Sequence, residues 1–194
     1  MAPSQIEAGG RNLLSGTGNS ITGVGNNADN QIINGYNLAG GKKVSDLYKQ
    51  YGPSEHLTLS FDWTASGETI SGDFLPQWND IPWSGLANSG VIKPSSTNKS
   101  GHYTSTVQLN SDGYSTGVAT GIGFRMNDMQ GSLTISNMKL EAGNKPTDTN
   151  VKSGDSDNKP TDANTIEEIK AYLDKHGIAH NGVTLKADLL ALIK

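Results

Sequence analysis

Apolar and polar positions alternate with a period of two in several stretches of this chain. Leu57-Thr58-Leu59-Ser60-Phe61-Asp62-Trp63 is the cleanest, and His102-Tyr103-Thr104-Ser105-Thr106-Val107-Gln108-Leu109 follows it less strictly. Gly121-Ile122-Gly123-Phe124-Arg125-Met126 and Leu133-Thr134-Ile135-Ser136-Asn137-Met138-Lys139-Leu140 repeat the pattern. That period puts the apolar side chains on one face of a half-buried strand. Asn110-Ser111-Asp112-Gly113 and Met129-Gln130-Gly131 are turn chemistry between the runs. One helix is predicted here, Val44 to Tyr51, stopped by Gly52-Pro53. Residues 12–143 therefore predict a mainly β unit, an antiparallel β-sandwich (jelly roll). Trp63 continues the phase of Leu57, Leu59 and Phe61 and is assigned to the core. Tyr36, Tyr103 and Tyr114 stay ambiguous.

Toward the end the period lengthens to that of a helix. Thr165-Ile166-Glu167-Glu168 spells a capping box, and Ile166, Ile169, Tyr172 and Leu173 then share a face. Gly177 stands where a left-handed cap would end the helix. An irregular stretch from Ile178 to Val183 carries Asn181-Gly182. Thr184 opens a second short helix expected to bury Leu185, Leu189, Leu192 and Ile193, which leaves Leu190 off the stripe as the outward apolar contact. Residues 165–194 thus predict a small all-α helix–extended-loop–helix domain. Between the two units, Asn144-Lys145-Pro146-Thr147-Asp148-Thr149-Asn150 recurs almost intact as Asn158-Lys159-Pro160-Thr161-Asp162-Ala163-Asn164. Ser153-Gly154-Asp155-Ser156-Asp157 lies between the copies. Polar and punctuated by proline, residues 144–164 read as a flexible linker.

Composition narrows the classes. The 194 residues suffice for one medium and one small domain, and an apolar content of 34% with 24 glycines suits a turn-rich sandwich. No cysteine is present, so disulfides do not hold the fold. The start, Met1-Ala2-Pro3-Ser4-Gln5-Ile6-Glu7, has neither a basic nor an apolar signal region, and no apolar run reaches the ~20 residues of a membrane span. A net charge of −4 disfavours a broad nucleic-acid footprint.

Two resemblances add to this. Ile166-Glu167-Glu168-Ile169-Lys170-Ala171-Tyr172-Leu173, with Lys186-Ala187-Asp188-Leu189-Leu190, resembles the HeH family, relatives of the LEM and SAP folds. That family is common at the ends of bacteriophage structural proteins, which implies a virion. Gly10-Arg11-Asn12-Leu13-Leu14-Ser15-Gly16 at the front and Ile135-Ser136-Asn137-Met138-Lys139-Leu140-Glu141-Ala142-Gly143-Asn144 at the back resemble the carbohydrate-binding-module-like jelly rolls of phage tail, baseplate and fibre proteins. The likeness covers the first and last strands and not the middle, where specificity loops would lie. Gln5-Ile6-Glu7-Ala8-Gly9 also echoes Lys139-Leu140-Glu141-Ala142-Gly143. Residues 1–11 are accordingly read as an N-terminal arm or the remnant of a preceding module, with coincidence as the alternative.

Chemistry is sparse. His56, His102, His176 and His180 show no metal-ligand spacing, so no metal or cofactor is expected. No Gly-x-Ser-x-Gly elbow occurs. Glu55, Glu68, Asp73 and Asp80 include enough carboxylates for a glycosidase pair, but no spacing marks any two of them. Asp155, Asp157 and Asp162 lack the central glycine and bidentate glutamate of a calcium loop. One constellation remains: Phe74-Leu75-Pro76-Gln77-Trp78-Asn79-Asp80-Ile81-Pro82-Trp83. It reads as a loop stiffened by two prolines, with two tryptophans among short polar side chains. A flat aromatic face suits the C–H side of a pyranose and amides or carboxylates suit its hydroxyls. Capping of the sandwich core is the competing role for both tryptophans.

The expectation is a non-catalytic phage structural or decoration protein on the particle surface, on head or tail. Its jelly roll would bind host cell-wall or surface polysaccharide, with Trp78 and Trp83 as platform and Asn79, Asp80 and Gln77 on the hydroxyls. Other virion proteins are expected partners, and a membrane is not. A purely structural cement or assembly role is the alternative. Nucleic-acid binding through the HeH domain ranks third. Lys170, Lys175, Lys186 and Lys194 are balanced there by Glu167, Glu168, Asp174 and Asp188, and a neutral domain releases few counterions.

Overall fold

The computed structural model describes residues 11–110, 113–146, 160, 166–175, 177–180 and 182–193. The amino-terminal arm, the centre of the Asn110–Gly113 turn, most of the linker, the capping box at Thr165, His176 and Asn181 lie outside the described residues. The chain divides into two compact units, Met1–Ser153 and Gly154–Lys194.

The first unit is mainly antiparallel β sheet, consistent with a sandwich. Its strands are β1 (Ile21–Asn26), β2 (Gln31–Asn37), β3 (His56–Trp78), β4 (Ser100–Gln108) and β5 (Gly121–Ala142), with one helix, α1 (Val44–Tyr51). β3 and β5 pair from Leu57 opposite Ala142 to Trp78 opposite Ile122. A straight ribbon of that length would hold Phe61 about 40 Å from Phe124, at about 3.3 Å per residue. Their ring centroids are 5.1 Å apart. The ribbon therefore bends back on itself, and its two halves face each other across an aromatic core. β4 extends one half along residues 56–64 of β3, and β1 pairs with residues 130–135 of β5. β2 pairs with residues 121–126 of β5 in the other half.

The bend has a chemical cause. Register breaks between Ser66 and Ser71 and again before Asp73, and Gly67, Gly72 and Gly131 all have positive φ. A Cβ on Gly131 would sit 2.6 Å from the Ser66 carbonyl oxygen, and one on Gly72 would overlap the Asp128 carbonyl. Only glycine lets the two backbones approach this closely. This corrects the reading of Met129-Gln130-Gly131 as a turn between two strands, because it is a bend inside one continuous strand. Residues 74–78, read as part of a loop, are likewise the end of β3. β1 and β2 escaped prediction because ITGVGN and QIINGYN bury few apolar side chains.

Within the core, Phe61 stacks on Tyr103 at 5.0 Å and Trp63 meets Phe74 edge-on at 5.7 Å. Trp63 is buried, as its alternation implies, and so are Tyr36, Tyr103 and Tyr114. Each fully buried large apolar side chain contributes roughly 1.5–3 kcal/mol. α1 forms where expected. The Lys43 amide donates to the Asp46 carboxylate, Val44 and Leu47 are buried, and the Val44 and Ser45 amides bond the carbonyls of Ala119 and Gly117. The segment Arg11–Gly16, which resembled a first strand, forms no regular strand: it makes an isolated bridge from Leu14 to Leu38, and its Leu13 amide bonds the Leu140 carbonyl. Asn12 pins it to the closing strand by donating to the Met138 carbonyl and accepting from the Leu140 amide.

In the second unit, α2 (Ile166–Lys175) and α3 (Lys186–Ala191) bury Ile169, Leu173 and Leu189 together. Gly177 has φ +66° and the Ile178 amide bonds the Leu173 carbonyl, a left-handed cap. Leu185 is 66% exposed and Leu190 packs against the cluster, the reverse of expectation. The reason is that α3 starts at Lys186. Leu185 is the extended residue before it (φ −84°, ψ 133°) and so stands outside the helical stripe.

Candidate functional site

Past the bend, β3 carries Phe74, Pro76 and Trp78 inward and Leu75 and Gln77 partly exposed on the other face. Proline is tolerated at position 76 because this half of β3 is an edge. Beyond β5 on one side, its other side meets, among the described residues, the isolated bridge from Phe74 to Ile92 and the bond from the Trp78 amide to the Trp83 carbonyl. Arg125 of β5 lies directly opposite Leu75, with Ile32 of β2 as its neighbour on the far side. The segment after β3 then folds back over this face. A cleft of about 290 Å³ results, lined by Leu75, Pro76, Gln77, Trp83, Ser84 and Gly85 together with Ala87, Asn88 and Arg125.

The five residues singled out in sequence do not converge. Trp83 and Gln77 line the cleft, and Trp83 is 52% exposed. Trp78 is 0% exposed, which corrects its place in an aromatic platform: the in–out phase of Phe74 and Pro76 carries it into the core. Its indole meets Tyr114 edge-on at 6.4 Å and donates to the Tyr114 hydroxyl at 3.4 Å. Burial pushes that hydroxyl's pKa up, against a smaller lowering by the Trp78 bond, so it stays neutral. Tyr114 in turn backs Gly85, where a Cβ would come within 2.5 Å of the phenolic oxygen. Trp78 therefore supports the cleft wall from beneath.

Asn79 and Asp80 are loop clamps and do not line the cleft. The Asn79 side-chain oxygen Oδ1 accepts from the Thr120 and Gly121 backbone amides at 3.0 and 3.2 Å, and its Nδ2 donates to the Thr120 hydroxyl. One Asp80 carboxylate oxygen accepts from the Ile81 amide at 2.7 Å. These bonds tie the loop to the start of β5 and hold the turn that presents Trp83. The Trp83 amide donates to the Asp80 carbonyl at 2.7 Å, and its own carbonyl accepts from Trp78 at 3.1 Å. In that turn Trp83 adopts φ +61°. The left-handed region is costly for a bulky residue, on the order of 1–3 kcal/mol, and persists only where surroundings enforce it.

Sequence reasoning missed Leu75, Ser84, Asn88 and Arg125. Arg125 had a signal, since it is one of only two arginines, beside 13 lysines, and occupies the polar phase of an apolar strand. Its Nε is buried and has no hydrogen-bond partner. The Gln77 side-chain amide has none among the described residues either. The site thus offers a held aromatic face, a free amide and an unpaired guanidinium along one cleft.

A second polar cluster lies elsewhere. His102 Nδ1 is 2.6 Å from Asp62 Oδ1, its Nε2 is 3.2 Å from the Thr104 hydroxyl, and Asn137 donates to Asp62 Oδ2 at 2.8 Å. Hydroxyl, imidazole and carboxylate are in relay order. Their register, Asp62 directly opposite His102, makes this a cross-strand link on a sheet face. Burial alone would raise the Asp62 carboxyl, but the Asn137 bond and then His102 outweigh it and hold it below the ordinary value. A depressed folded-state pKa stabilises above the unfolded value near 4 and loses that contribution as pH falls through the folded one. Asp62→Asn is therefore expected to cost under about 1 kcal/mol at about pH 6, the pair being exposed, and progressively less as the pH falls below the ordinary carboxylate range. Urea midpoints of both proteins across that range check it, and a constant difference would show that Asp62 matters through shape and not charge. Among the described residues no group of three or more potential ligands is placed to hold a metal.

Comparison with known proteins gives partial likenesses. No family model matches the chain. A stretch of 36 residues is 58% identical to the large ribosomal subunit protein bL20 of Oenococcus oeni, covering 19% of this chain and 18% of that protein. The chain thus matches under a fifth of that relative. Among solved structures, it is similar to the tripod from the baseplate of bacteriophage Tuc2009, with TM-score 0.40 and 14% identity over 73% of this chain and 58% of that one. A CBM4 structure gives TM-score 0.37 and 16% identity over 63% of this chain and 82% of that one. The CBM22-1 xylan-binding domain of Paenibacillus barcinonensis Xyn10C gives 0.36 and 9%, over 66% and 74%. At such scores no argument about ligand or partner passes from these proteins to the chain.

Proposed function

We propose that the protein is a non-catalytic phage virion component whose β unit, a jelly-roll-type sandwich, binds saccharide on the host cell surface through the Trp83 cleft. The observation that carries this reading is Trp83 itself. A tryptophan half in solvent, clamped at positive φ beside a free glutamine amide, is a poor choice for packing and a good one for a pyranose face. In this reading residues 12–143 form the binding module, 144–164 the linker and 165–194 an HeH-like contact module joined to other virion proteins. A shallow site of this size gives weak single-site affinity, which many copies on one particle multiply through avidity. The virion assignment rests on the phage-type sequence resemblances at both ends of the β unit and in the second unit.

Trp83→Gly separates this from a purely structural role. Glycine accepts φ +61° without strain, so the melting temperature is expected to stay within the equivalent of about 1 kcal/mol. Binding to a glycan array should fall at least tenfold. A large loss of stability, with wild-type protein binding no glycan, would favour the cement or assembly alternative.

A further inference from the structure

We infer that the saccharide taken by this cleft carries an anionic group, a carboxylate or a phosphate, which Arg125 clamps beside Trp83. The inference rests on the saccharide reading above and narrows its substrate class.

A guanidinium drawn into a half-buried position is normally paired, because it loses water there and must recover the hydrogen bonds. Arg125 occupies the middle of a sheet face, on the strand between β2 and β3, with Leu75 and Ile32 beside it. No ion pair joins it to another described residue. Its Nε is buried without a partner, and the terminal N–H groups of its planar fork have no partner among the described residues, which leaves them for an oxyanion in the cleft. It also borders the same cleft as Trp83, Gln77 and Ser84. One face can therefore hold a sugar ring, with an amide and a hydroxyl for its neutral oxygens and a planar fork for a charged substituent.

The choice of residue fits. The chain meets nearly all its need for positive charge with lysine, a hydrated point charge. Arginine at position 125 supplies two parallel N–H bonds, which lysine cannot. The net charge of −4 gives no long-range attraction for a polyanion. Recognition is then local, through one ion pair, and its dependence on salt should be shallow.

The test uses the full-length chain on an array of neutral, uronate-bearing and phosphate-bearing saccharides. Calorimetry with the strongest binder then compares wild type, Arg125→Gln and Arg125→Lys. Wild type is expected to prefer the charged class at least tenfold over its neutral counterpart, and the array reports whether carboxylate or phosphate is taken. Arg125→Gln should erase that preference. Arg125→Lys, keeping charge without the fork, should lose part of it. If Arg125→Gln does not fold, Arg125→Lys and a salt titration of wild type carry the decision, a salt-independent affinity counting against the inference. Equal binding of neutral and charged glycans would overturn the anionic inference and leave the saccharide reading in place. Binding to none would overturn both.

Discussion

Replacing Trp78 with alanine is expected to destabilise the β unit by about 3–5 kcal/mol, lowering its melting temperature on the order of 10–20 °C. The side chain is fully buried, so truncation leaves a large cavity and removes the edge-on contact with Tyr114. The Tyr114 hydroxyl also loses the indole donor, and with it one of the contacts that hold it against Gly85. Any fall in glycan binding should therefore track the unfolded fraction and the loosened loop. Trp83→Gly should behave oppositely, losing binding with little change in stability. Thermal melts and array binding of the two variants in parallel decide the matter. A Trp78→Ala protein that melts like wild type would mean that Trp78 is not the support described here.

Gly72→Ala is the second large effect, expected to cost about 3 kcal/mol. Part is the left-handed backbone, with φ +83°, and part is collision of the new methyl with the Asp128 carbonyl across the bend. Gly90 provides the comparison. Its φ is +90°, yet a Cβ there would meet nothing within 4 Å. Gly90→Ala should cost only the conformational part, about 1–2 kcal/mol. Chemical denaturation of both variants measures the difference. Equal losses would show that the strands at the bend are not in backbone contact.

The contrast between these tryptophans shows how far the sequence could be read. Leu57 to Trp63 alternates with polar residues that are easy to recognise, so its inward face was plain, and Val44–Tyr51 had helical spacing and a Gly-Pro stop. Phe74, Pro76 and Trp78 keep the same in–out phase, but two prolines nearby disguised the strand as a loop. Proline is harmless there only because that half of β3 is an edge, a property of the tertiary pairing. The bend hid for a similar reason. Gly67, Gly72 and Gly131 read locally as turns, and nothing nearby in sequence tells that the chain continues as the same strand beyond them. The cleft was half legible. Trp83 and Gln77 came from composition near a loop. Arg125 came into view only when β5 was laid between β2 and β3, placing it beside residues about 50 and 90 positions away in the chain.

The pairing of β3 with β5 also governs how the unit is made. Leu57 meets Ala142 and Trp78 meets Ile122, so the longest ribbon joins segments that leave the ribosome well apart. At ~5–20 residues per second, β3 waits on the order of several seconds before its partner exists. Through that interval Leu57, Leu59, Phe61 and Trp63 form an uncovered apolar stripe, with β4 arriving first to shield one edge. Contacts this distant in sequence slow folding, because a long loop must close before they form. The Thr58, Ser60 and Asp62 positions interleaved with that stripe, with Thr64 just after it, are the polar interruptions that keep a waiting strand from pairing with a second nascent chain.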